Sequence, residues 1–109
     1  MKGFALILTV SIGVTVSTAN ANPTANQFRE GGGETTYLCK VAVTSGSLRV
    51  RSSPAGGVVG SLRSKDDFEI AAATYDKSKK TWYLASVQGK KLGWVRSDFV
   101  KCFDYVHAD

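Results

Sequence analysis

A general base must sit within hydrogen-bond reach of the group it deprotonates. The 109-residue sequence has one histidine, His107, two residues from the C-terminus, where a frayed end holds nothing in register. No serine is followed three residues later by lysine, which removes that nucleophile arrangement. No cluster of His, Cys and carboxylate residues has metal-ligand spacing. Asp66 and Asp67 are adjacent, but on a strand such neighbours point to opposite faces. The expectation is a protein with no catalytic residues, no metal and no cofactor.

Residues suited to binding are present. Arg49 and Arg51 alternate with Leu48 and Val50, so the arginines face away from the apolar side. Their guanidinium forks suit the carboxylates of a peptide or glycan; a plain solvated strand face is the readier explanation. Lys77, Lys79, Lys80, Lys90 and Lys91 mark two loop tips. If those tips lie close together they form a basic patch for anionic polymers, although solubility alone explains such lysines. Eight aromatics fall between Tyr37 and Phe103, and packing is the first explanation for any one of them.

The elements that must position these residues are short. Leu38–Val43, Ser47–Arg51, Val58–Leu62, Phe68–Tyr75, Thr81–Val87 and Leu92–Val95 read as strands, with turn clusters between them. Ser97-Asp98 can start one turn of 3₁₀ helix before a last run, Phe99–Cys102. No segment after the first 21 residues keeps a 3.6-residue period over ten positions. The fold class is therefore all-β, five to seven short strands in a small barrel that hides its edges by closing.

The N-terminus reads differently. Lys2 precedes an apolar run, Phe4–Val16, and Ala19-Asn20-Ala21 has the small-x-small cleavage pattern. That is a signal peptide cut after Ala21, too short in its apolar run for the ~20 residues of a membrane span. Export, to the periplasm or outside the cell, is the expected fate. The 88 remaining residues carry 13 basic and 9 acidic side chains, net +4. One small core fits that length, and two-lobed or nucleotide-binding architectures do not. Net +4 outside the cytoplasm makes nucleic acid a poor partner. Asn22–Thr36, with Gly31-Gly32-Gly33, reads as a flexible linker, 37–103 as the domain and 104–109 as a tail. Cys39 and Cys102 are the two cysteines, and an even count in a small exported chain implies a disulfide. Free thiols or half a metal site are the competing reading.

Four motifs in order carry a resemblance. Leu48-Arg49-Val50-Arg51-Ser52-Ser53-Pro54, Val58-Val59-Gly60-Ser61-Leu62, Trp82-Tyr83 and Gly93-Trp94-Val95 resemble the signature elements of bacterial SH3 domains, the SH3b family. The match spans Leu38–Phe103, and the flanking cysteines look like a small exported, stand-alone subgroup. Arg49, Ser53 and Lys65 depart from the family pattern; Lys65 stands where glycine, and hence a positive φ, is usual.

The resemblance implies an SH3-like barrel. It also implies that Tyr83, Ala85, Val87, Gly93 and Val95 face inward while Trp82, Leu84 and Trp94 face out. Trp82, Trp94 and Tyr75 are then candidates for an exposed groove. The implied function is a non-catalytic, monomeric module that recognises cell-wall peptide or glycan. The alternative is an interaction or inhibitor module docking on another exported protein.

Overall fold

The computed structural model describes residues 16–20, 22–30 and 35–106. The runs of β-branched and aromatic residues form antiparallel strands: β1 (Val16–Asn20), β2 (Thr35–Val41), β3 (Ser47–Arg51), β4 (Val58–Arg63), β5 (Asp67–Tyr75), β6 (Thr81–Val87), β7 (Lys90–Arg96) and β8 (Val100–Val106). A short helix, α1 (Ala25–Glu30), precedes β2, and one turn of 3₁₀ helix, Ser97–Phe99, joins β7 to β8. The strands form one sheet in the order β1-β8-β2-β5-β6-β7-β3-β4. Seven of the eight strands lie outside the expected leader, which agrees with a small all-β, barrel-like domain.

The sheet wraps around one core because every strand from β2 to β8 contributes an inward-facing side chain to it. Alternation sets that face. In β3, Leu48 and Val50 are buried while Arg49 is exposed. Cys39 and Val41 of β2, Tyr83 and Ala85 of β6, Val95 of β7 and Val100 and Cys102 of β8 complete it. Phe68 and Tyr83 are among its largest fully buried side chains, each worth roughly 2–3 kcal/mol of apolar burial. In β5 the alternation changes phase. Phe68 and Ile70 are buried, but the next buried residue is Ala73, not Ala72. The pairing with β6 slips between Ile70 and Ala72, so Ala71 is the extra residue of a β-bulge, a feature that strict period-two reading misses.

Cys39 and Cys102 stand directly opposite each other on β2 and β8 and are joined by a disulfide, with Cα atoms 4.0 Å apart. Both are buried. The bridge ties the first and last strands of the expected domain, as the cysteine count implies.

The stretch expected to be a linker is in part built into the domain. The Asn22 side-chain amide behaves like a strand residue: Nδ2 donates to the Val100 carbonyl at 2.9 Å and to the Ser97 carbonyl at 3.2 Å, and Oδ1 accepts from the Cys102 N–H at 2.8 Å. Thr24 and Gln27 form a reciprocal capping box that starts α1. Ala25 is fully buried, and the Tyr83 hydroxyl donates to the Pro23 carbonyl at 2.6 Å. Burial pushes the Tyr83 hydroxyl well above the usual phenol range, with Tyr37 adding to it.

The ends also differ from expectation. Val16–Asn20 of the expected leader pairs with β8, and β8 continues to Val106, through the start of the expected tail. Residues 1–15, the three glycines 31–33 and His107 lie outside the described residues.

Candidate binding groove

β3 and β7 meet at a single register pair, Arg51 with Trp94. Gly93 makes this approach feasible. Its φ is +145°, and a Cβ there would lie 2.6 Å from Val50 Cγ1 and 2.7 Å from the Arg51 carbonyl oxygen. With β3 this close, its outward arginines join the outer faces of β6 and β7.

The result is an open groove of about 420 Å³ whose lining includes Arg49, Arg51, Arg96, Asp76, Trp82 and Phe99. Arg51 is braced by the turn after it, Nη1 donating to the Gly56 carbonyl at 2.7 Å. Arg96, paired with Trp82 across β7 and β6, lies over the Phe99 ring at 5.6 Å and forms an ion pair with Asp98. Its Nε is buried and has no acceptor among the described residues.

Asp76 is turned toward its own loop. Oδ2 accepts the Trp82 indole N–H at 2.8 Å, and Oδ1 accepts the Ser78 and Lys80 backbone N–H groups at 2.8 and 3.0 Å. The indole bond is the leading reason that its carboxyl is held below the usual aspartate range, helped by the Lys80 and Ser78 bonds and the Arg96 charge. Three guanidiniums therefore share the groove with one carboxylate that is already engaged. Such a surface can pair with anions through the arginines and present an apolar wall, Trp82 and Phe99, beside them.

Of the five residues expected to bind, the structure brings three together: Arg49, Arg51 and Trp82. Trp82 is on the outer face, but it is 5 % exposed rather than open. Its indole N–H is held by Asp76, and only a small part of the indole is left to line the groove. Trp94 is half-buried on the same face, opposite Leu84 and Arg51, and does not line the groove. Tyr75 lies elsewhere: it pairs with Thr81, and its hydroxyl accepts the Asn26 N–H of α1 at 3.3 Å.

Arg96 and Phe99 are among the lining residues that were not anticipated. Arg96 could have been found by carrying the outward alternation from Trp94 two residues on. Phe99, 42 % exposed, sits in the 3₁₀ turn, where no periodicity signals a face.

The two lysine tips are not neighbours. Lys77, Lys79 and Lys80 precede β6 and Lys90 and Lys91 follow it, so the seven-residue strand holds them at opposite ends. At ~3.4 Å per residue that is roughly 20 Å, and no single basic patch forms.

Among the described residues, no helix is long and apolar enough to cross a membrane. No family model, no curated protein and no solved structure matches this chain.

Proposed function

We propose that the chain is a non-catalytic, exported SH3b-like module that recognises cell-envelope material such as peptidoglycan peptides. The observation that carries this is the groove: Arg49 and Arg51, inside the SH3b-like signature, share it with Trp82, which begins another of the resembling motifs. A positively charged groove with an exposed aromatic, Phe99, suits a peptide ligand better than a neutral glycan chain, because it offers ionic partners as well as apolar contact. The Cys39–Cys102 disulfide fits an oxidising compartment outside the cytoplasm, and the leader-like N-terminus supplies the route.

Cosedimentation with purified sacculi tests the proposal. The wild-type protein is expected in the pellet, and Arg49→Glu is expected to stay in the supernatant. The Arg49 side chain is exposed and makes no hydrogen bond or ion pair among the described residues, so its replacement should leave the fold intact. Wild type that pellets no better than serum albumin contradicts wall recognition. Recovery of one stoichiometric exported protein instead would favour the docking-module alternative.

A further inference from the structure

The groove holds more positive charge than its own residues use. Arg51 spends Nη1 on Gly56, and Arg96 spends Nη2 on Asp98. Arg49 makes no ion pair among the described residues. The one carboxylate in the lining, Asp76, is committed to Trp82, Ser78 and Lys80. Arg96 Nη1 makes no hydrogen bond among the described residues.

We infer that the groove is a carboxylate clamp: a peptide ligand is held through a free carboxylate by Arg51 and Arg96, with Arg49 at the rim and an apolar part of the ligand against Trp82 and Phe99. This rests on the proposed recognition of wall peptides and names the group recognised.

Two features favour a carboxylate over a neutral peptide. First, the clamp is braced before ligand arrives. The Gly56 carbonyl fixes one side of Arg51, and Asp98 and the Phe99 ring fix Arg96, so little side-chain freedom remains to be lost on binding. Second, a carboxylate has acceptor sites for two forked donors at once. A neutral amide has one carbonyl oxygen and brings extra N–H donors toward three cations.

The ligand can be altered while the protein stays wild type, which separates binding from folding. Titration calorimetry compares a synthetic wall tetrapeptide bearing free carboxylates with the same peptide fully amidated. The free acid is expected to bind about tenfold or more tightly, as charge-assisted hydrogen bonds imply. Arg96→Gln is expected to weaken the free acid to the level of the amide while leaving the amide unchanged; Arg51→Gln is the second variant. Equal affinity for the two peptides, or binding of neither, overturns the clamp.

Sacculi whose carboxylates have been converted to amides distinguish the two claims. Wild type that pellets equally with treated and untreated sacculi refutes the clamp and leaves wall recognition standing. Wild type that binds the free-acid peptide but not sacculi upholds the clamp, refutes wall recognition and points to an acidic segment of an exported protein.

Discussion

Replacing Gly93 by alanine should cost both stability and the groove. The φ of +145° is one that L-residues rarely adopt, and holding a side-chain residue in such a region costs about 1–3 kcal/mol. The new methyl would also meet Val50 Cγ1 at 2.6 Å and the Arg51 carbonyl oxygen at 2.7 Å. Neither can yield easily, since Val50 is 2 % exposed in the core and the other contact is backbone. Overpacking of this kind adds about 1–3 kcal/mol, for a total of roughly 2–6 kcal/mol. Small domains have about 5–15 kcal/mol in all, so the variant should still fold in part, with a much lower urea midpoint. The relief available is for β3 to withdraw from β7, which carries Arg49 and Arg51 away from Trp82 and Arg96. Urea unfolding with the disulfide intact measures the first effect. Gly60→Ala is the control: nothing lies within 4 Å of its Cβ position and its φ is not positive, so it should be neutral or slightly stabilising. A Gly93→Ala loss below about 1 kcal/mol, or one no larger than that of Gly60→Ala, would refute the close approach of β3 and β7.

Three further outcomes are expected. A Cys39→Ala, Cys102→Ala double variant opens a loop spanning 63 residues and should lose about 4 kcal/mol, read as a fall in melting temperature; an unchanged melting temperature removes the bridge from the stability account. Lys65 has φ 75°, so Lys65→Gly should gain about 0.5–1 kcal/mol in chemical denaturation, because relief of the left-handed backbone outweighs the added freedom of the unfolded chain; a loss would contradict this. The folded-state pKa of Asp76 is lowered, so its contribution is complete above the ordinary aspartate range and is lost as pH falls through the lowered value. Trp82 fluorescence should therefore hold steady down to about pH 4 and change only below it, and a transition centred near neutrality would mean that another group controls the indole.

Elements with a strong local signal were legible in the sequence. Leu48 and Val50 against Arg49 and Arg51 revealed both the strand and its buried face, and Ser97-Asp98 marked the 3₁₀ turn. Lys65 in a glycine position pointed to a positive φ, which the backbone has. What escaped depended on partners distant in sequence. Nothing local announces that the Asn22 amide will substitute for a strand 78 to 80 residues away. The capping box of Thr24 and Gln27 was readable, but the neighbouring glycines and Pro23 suggested a linker instead. Ala71 breaks the alternation of β5 because a bulge is a property of the pair of strands, not of one. Trp82 has the outward phase and is nevertheless covered, and its indole partner, Asp76, comes from the loop before β6.

The two tryptophans provide the most direct test of the groove as the binding site. Trp82 lines it and Trp94 does not, and each has one indole N–H that gives its own cross-peak in a nitrogen–proton correlation spectrum. Added soluble wall fragments should shift the Trp82 indole peak in a saturable way and leave that of Trp94 nearly still. A saturable shift of Trp94 alone, or no shift of either, would contradict the assignment of recognition to this groove.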